Sequence, residues 1–164
     1  MKHKNLAFTL KSASSEDAKF VFLLQKITIK SYFQILGMWK EEERSLYFKH
    51  HFQPRYVQII EHNGKKIGAI SNSHKRNKII LFYILILPKY QNKGVGTFLL
   101  KGLIKKAEKE NKPILISVLR LNKRARQLYT KLGFKIVNQN DLHYFMEYNK
   151  NNDSQKKAIR HQVI

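Results

Sequence analysis

The segment richest in chemistry is Gln91-Asn92-Lys93-Gly94-Val95-Gly96-Thr97. Two glycines stand one residue apart, after a polar loop and before an amphipathic stretch. Glycine tolerates positive φ and lets a backbone approach a ligand closely. The first turn of a helix carries N–H groups without backbone acceptors and a partial positive charge. Such a turn suits a pyrophosphate, and Lys93 adds a full charge. The pattern is not the three-glycine dinucleotide fingerprint. Nor is it a Walker loop, since no Gly-Lys-Ser/Thr follows. On spacing alone, a tight strand-to-helix connection with glycine used for packing is at least as good an explanation.

The surrounding elements decide what the loop can do. Ile79–Leu87 is a continuous apolar run, which predicts a central strand buried on both faces, stopped by Pro88. Val95, Leu99, Leu103 and Ala107 recur at helical spacing and predict a helix from about Val95 to Glu110, with Lys101, Lys105 and Lys109 on its wet face. Pro113–Leu119 reads as another strand. Lys123–Leu132 reads as a short helix ended by Gly133. Phe134–Asn138 and His143–Tyr148 form a last strand pair. Upstream, Leu6, Phe8 and Leu10 alternate, predicting a half-buried strand over 6–12. Ser14 and Asp17 form a capping-box variant, and Ser14 or Ser15 caps a helix to about Ile29, with Phe20, Leu23, Leu24 and Ile27 inward. Tyr32–Trp39 reads as a turn or short helical segment, and Lys40–His51 as a second helix with Glu41, Glu42 and Glu43 in its first turn. Tyr56–Glu61 and Lys66–Ser73 flank Asn63-Gly64, a hairpin signal. The predicted order is β-α-α-β-β-β-α-β-α-β-β, an α/β (α+β) chain with a mixed sheet flanked by helices.

Placed on these elements, Gln91-x-x-Gly94-x-Gly96 resembles the Gln/Arg-x-x-Gly-x-Gly/Ala signature of the GNAT acetyltransferase superfamily. Asn122, Ala125, Leu128-Tyr129 and Leu132-Gly133-Phe134 resemble its second landmark, and the strand Pro113–Leu119 separates the two as in that family. The likeness covers roughly residues 6–148. It implies a GNAT-like, mostly antiparallel central sheet and one N-acetyltransferase domain over 1–148, followed by a basic, flexible tail over 149–164. It also implies acetyl-CoA as co-substrate, with no metal. The backbone of Leu85, Ile86 and Leu87 would pair with the pantetheine arm. The N–H groups of Asn92, Lys93, Gly94, Val95, Gly96 and Thr97 would hold the pyrophosphate, with side-chain help from Gln91 and Lys93. Asn122 would lie near the pantetheine arm, although an asparagine there also suits a helix N-cap. Tyr129 would face the sulfur and protonate the departing thiolate; a thiol titrates near ~8.5 and a phenol near ~10. The alternative for Tyr129 is a packed core tyrosine.

An attacking amine must be neutral, and an alkylammonium titrates near ~10.4. The central strand has no carboxylate to serve as base. Glu41, Glu42 and Glu43 qualify only if their helix borders the acceptor; otherwise they are charges on a wet face. His143 and Tyr144 are weaker candidates, a water chain is another, and the base stays unassigned.

Lys and Arg number 32 against 11 Asp and Glu, a formal charge of +21. Such a field draws polyanions and repels polycations unless a local acidic patch intervenes. The lysines are spread along the chain, so a lysine-rich surface is a better reading than a nucleic-acid arm. The expected reaction is acetylation of a primary amine on a small molecule by direct attack in a ternary complex. The alternatives are a protein N-terminal or lysine acetyltransferase and, from another class, a non-catalytic basic nucleic-acid-binding module on the same fold. No interleaved aromatic RNA signature supports the latter. The absence of cysteine excludes disulfides and a thiol nucleophile, and the seven histidines lack metal-ligand spacing. The apolar stretch after the basic N-terminus is too short for a signal core, and no run approaches a membrane span. A cytoplasmic protein is expected, and the resemblance allows a homodimer.

Overall fold

The computed structural model describes residues 7–150. Its elements are β1 (Thr9–Ser12), α1 (Ala18–Ile35), α2 (Glu41–His51), β2 (Val57–His62), β3 (Lys65–His74), β4 (Ile79–Ile86), α3 (Val95–Lys109), β5 (Ile114–Leu119), α4 (Lys123–Lys131), β6 (Lys135–Gln139) and β7 (His143–Tyr148). The strands follow the order β1-β2-β3-β4-β5-β7-β6 in a seven-stranded sheet. The β4–β5 pair is parallel, whereas β1–β2, β2–β3, β5–β7 and β6–β7 are antiparallel. Element order and sheet class agree with the sequence reading. Leu6 and most of the 149–164 tail lie outside the described residues.

Backbone contacts group the chain into two compact units. Of the described residues, the first comprises those up to Asn72 together with Phe82–Phe98, the second Ser73–Leu81 together with those from Leu99 onward.

In the first unit, Val21 and Leu24 of α1 are buried against Val57 and Ile59 of β2, Ala69 of β3 and Leu85 of β4, with Phe48 and Phe52 of the α2 end packed beside them. The inward face of α1 is therefore centred on Val21 and Leu24. Leu23 and Ile27, expected inside, are 47% and 44% exposed. A helix stripe wider than the surface it covers leaves its flanks in water. The helix also runs six residues past Ile29, through Tyr32 and Phe33, so much of the expected turn is its last turn and a half. The strand β1 is exposed throughout because it is short and lies at the sheet edge. Phe82 breaks the expected double-sided burial of β4 and is 48% exposed.

Entry into α1 is fixed electrostatically. The Asp17 carboxylate accepts the Ser14 backbone N–H at 2.8 Å and the Lys66 ammonium at 2.6 Å. Burial pushes the Asp17 carboxyl up, but the bonds from Lys66 and Ser14 outweigh it and the net shift is downward. The sheet is equally tight at Gly68, where a Cβ would overlap the Leu85 carbonyl oxygen on β4.

In the second unit, Ile79, Ile80 and Leu81 of β4 pair with Ile114, Leu115 and Ile116 of β5. Six residue pairs then join β5 to β7, from Ile114↔Tyr148 to Leu119↔His143. Leu100, Leu103 and Ala107 of α3 are buried there, as are Phe134 and Met146.

Two glycine substitutions test this packing in opposite directions. Gly68→Ala must displace the β4 backbone and is expected to destabilise by roughly 2–4 kcal/mol. Gly102 lies mid-helix in α3, and a methyl group added there would meet open space. Gly102→Ala is therefore expected to stabilise by up to about 1 kcal/mol. Denaturant melts of the two variants check both signs.

Candidate active site

The loop after β4 is built for a helix start with vacant donors. Pro88–Tyr90 forms a single 3₁₀ turn. Asn92 then adopts φ 60° and Gly94 φ 82°, a reversal that a β-carbon at position 94 would strain. The first helical hydrogen bond runs from the Phe98 N–H to the Gly94 carbonyl at 2.9 Å. The N–H groups of Val95, Gly96 and Thr97 therefore precede the helical ladder. Val95 is buried and anchors the turn, whereas Asn92, Lys93 and Gly94 are exposed. The Lys93 ammonium lies 5.5 Å from the centre of the Tyr90 ring. Gln91 turns back onto the strand and its Nε2 donates to the Ile86 carbonyl at 2.7 Å. The Leu87 N–H donates to the Ile67 carbonyl at 2.9 Å. Two of the backbone groups expected to meet a cofactor at Leu85, Ile86 and Leu87 thus have intrachain partners, although a carbonyl such as that of Ile86 keeps a second lone pair.

In the second unit Asn122 caps α4: its Oδ1 accepts the Ala125 N–H at 3.0 Å. The other end of α4 explains the spacing Tyr129…Leu132-Gly133-Phe134. Gly133 has φ 91°. Its N–H donates to the Thr130 carbonyl, and the Phe134 N–H to the Tyr129 carbonyl, both at 3.1 Å. This is a Schellman closure with its usual apolar contact, here the Phe134 and Tyr129 rings with centroids 5.5 Å apart. Tyr129 is buried, and burial pushes its phenol well above the ordinary value. It holds its proton at neutral pH.

Of the three carboxylates weighed as bases, Glu41 and Glu43 are engaged by lysines and Glu42 is exposed. Glu41 meets Lys26 at 2.5 Å, Lys30 at 3.2 Å and the Trp39 indole N–H at 3.0 Å. The bond from Lys26, then that from Trp39, leads the causes that push its carboxyl down to about 2. It is a poor proton acceptor. Glu43 pairs with Lys40 at 2.9 Å. The Tyr144 ring carries the guanidinium carbons of Arg120 and Arg126 at 5.2 and 5.1 Å. Tyr83 on β4 was not among the residues singled out from sequence. Burial raises its phenol to about 12 despite a hydrogen bond with buried Ser71. An aromatic inside an apolar strand carries no signal beyond packing. Among the described residues no group of three His, Asp or Glu is placed to hold a metal.

A strand, a glycine-bearing turn and a helix whose first three N–H groups precede the helical ladder, on a mixed sheet of this order, define an α/β protein. The profile of the acetyltransferase (GNAT) family matches residues 23–134. The chain belongs to that family and is an acyltransferase that takes acetyl-CoA as co-substrate. Solved structures share its fold. The PaiA N-acetyltransferase from Thermoplasma acidophilum, in complex with coenzyme A, is 19% identical, with 87% of this chain and 99% of the other aligned and a TM-score of 0.70. The ribosomal-protein-S18-alanine N-acetyltransferase from Escherichia coli is 22% identical, over 87% and 94% of the chains, with a TM-score of 0.65. Arabidopsis thaliana Naa50, in complex with the bisubstrate analogue CoA-Ac-MVNAL, is 15% identical over 88% and 99%, with a TM-score of 0.64.

The cap and any ligand role of Asn122 separate by substitution. Asn122→Ala should lower stability by about 1 kcal/mol, and Asn122→Ser, which restores an oxygen acceptor, should recover most of it. Thermal melts without cofactor measure this directly.

Proposed function

We propose that the protein transfers the acetyl group of acetyl-CoA to a primary amine of a small molecule, by direct attack in a ternary complex. The observation that carries the reading is the start of α3, where Gly94 at φ 82° precedes three N–H groups outside the helical ladder. In this reading the backbone from Asn92 to Thr97 holds the pyrophosphate. Gln91 braces the loop from Ile86, and Lys93 supplies charge from the exposed side. Leu85, Ile86 and Leu87 offer the pantetheine amides their remaining backbone capacity, the second lone pair of the Ile86 carbonyl included. Asn122 keeps its Oδ1 on the cap and turns its Nδ2 donor to the pantetheine arm.

The acceptor nitrogen, having lost one proton to water as the ammonium became an amine, gives its lone pair to the thioester carbonyl carbon and sheds a second proton to solvent as the amide forms. The C–N bond forms, the C–S bond breaks, and the sulfur takes the electron pair. Tyr129 delivers its phenolic proton to that sulfur and is reprotonated from solvent. Its raised pKa favours a donor that is never ionised at working pH. The pairing of Glu41 and Glu43 with lysines leaves only Glu42 of the acidic patch that a polycationic acceptor would need in a field of +21. A second reading, acetylation of a protein N-terminus, draws support from two of the structural neighbours, which are named as acting on ribosomal protein S18 alanine or bound to a peptide-bearing analogue. We place the protein in the cytoplasm.

Calorimetry at physiological salt, with ATP as a matched polyanion, tests the cofactor site. Saturable acetyl-CoA binding, much weaker ATP binding and loss of the signal in Gly94→Glu are expected. Equal, salt-labile binding of both ligands would instead favour a basic nucleic-acid module. With an acceptor in hand, Tyr129→Phe should reduce kcat on the order of 10²-fold with acetyl-CoA affinity unchanged. Activity should rise with pH as the acceptor ammonium loses its proton, without a falling limb from Tyr129 below about pH 10.

A further inference from the structure

Where α1 meets α2, an arginine lies close to two aromatic rings, and no acid among the described residues neutralises it. The Arg44 guanidinium carbon lies 4.1 Å from the centre of the Phe33 ring and 4.8 Å from that of Trp39. The indole is itself pinned, its N–H on Glu41 at 3.0 Å and the Lys30 ammonium 5.5 Å from its ring centre. On a helix surface the natural partner of Arg44 is the acid three residues earlier. That acid is Glu41, and it is turned to Lys26 and Lys30. Glu43 is taken by Lys40. Arg44 also sits in the first turn of α2, where the helix dipole disfavours a cation. Burial lowers its pKa from the ordinary value, so part of its hydration is already gone. Ring contacts do not consume the N–H donors of a guanidinium, whose fork can grip a carboxylate with two parallel bonds.

We propose that Arg44, set on the Phe33 and Trp39 rings, is a recognition site for a carboxylate carried by the amine acceptor. This rests on the acetyl-transfer reading and narrows it: the acceptor class is an amino acid or a similar amine that bears an acid. The +21 field favours such a ligand over a purely cationic amine.

Trp39 is the only tryptophan in the chain, so its emission reports on this corner without any need for turnover. The intact protein is titrated at fixed ionic strength with glutamate against glutamine, and with alanine against alaninamide. Inorganic phosphate serves as a competing oxyanion. The expected result is a saturable change in emission, with the acid member of at least one pair binding 10-fold or more tighter than its amide. Arg44→Gln should abolish that preference. Arg44→Lys keeps charge and ring contact but not the fork; it should keep the melting temperature and still lose most of the preference. In turnover, both variants should raise KM for the acid and leave kcat within about twofold. The proposal is overturned if acid and amide bind alike, if Arg44→Gln retains the preference, or if phosphate outcompetes every carboxylate. Acetyl-CoA calorimetry on the same samples keeps the two readings apart. Failure there removes the acetyl-transfer reading, while the Trp39 titration still reports on the carboxylate site.

Discussion

The first turn of α3 must start without its own acceptors, and much of the first unit is arranged around that constraint. A helix begun in the ordinary way would have a side chain cap over its opening N–H groups. Here the residue before the helix is Gly94, which has no side chain to offer and which makes the reversal at φ 82°. Everything upstream serves to deliver the chain to that point. Pro88 halts β4, a single 3₁₀ turn changes direction, and the Gln91 amide ties the loop to Ile86. The tight approach of Gly68 to Leu85 holds the strand end against β3. Buried Val95 then seats the helix. Donors at a helix start tolerate exposure to water well but bind an anion better, so a geometry that looks incomplete as a helix start suits the phosphate-binding role proposed for it.

The second landmark has a different physical origin. The pattern Tyr129…Leu132-Gly133-Phe134 is a helix terminator before it is anything catalytic. The Schellman bonds lock the Tyr129 carbonyl to Phe134, and the ring contact between them comes with the motif. A phenol placed this way cannot drift, and the apolar packing that fixes it also keeps it protonated. Position and protonation state follow from one local device. Asn122 does the same at the other end of α4, where capping sets both the helix start and the orientation of the amide.

Features that depend on neighbours in sequence were legible, and those that depend on distant partners were not. The Asn63-Gly64 hairpin, the buried stripe Val95, Leu99, Leu103 and Ala107, the Asn122 cap and the Gly133 stop each lie within a few residues of their cause. The Ser14–Asp17 box was also readable, but its second function was not: the bond to Lys66 spans 49 positions and ties α1 to β3. The facing of α1 was missed for a similar reason. Leu23 and Ile27 are as apolar as Leu24, and only the width of the surface offered by β2 and β3 decides which are covered. Within the candidate site, the backbone geometry of the loop could be anticipated from two glycines. The turn of Gln91 toward Ile86 could not, because side-chain direction in a loop is set by which carbonyl happens to be within reach.

The charge of the chain illustrates the same division. A total of +21 is a property of composition and says nothing about where a cation is available. Around α1 and α2 the lysines are largely spent: Lys26 and Lys30 share Glu41, and Lys40 holds Glu43. In sequence the three glutamates carry weight as a possible base or acidic patch, since three acids in a helix start are conspicuous. The structure pairs two of them with lysines. Glu41 and Glu43 act as counter-ions that quiet the nearby lysines, and Glu41 also pins Trp39. What they leave uncompensated, among the described residues of this corner, is the cation set beside two aromatic rings, Arg44. Lysines can be neutralised by any nearby carboxylate as point charges, but a guanidinium presents a directional fork. A local surface of mixed charge thereby carries one oriented donor, and orientation, which the net charge cannot provide, is what distinguishes recognition of a ligand from general attraction to it.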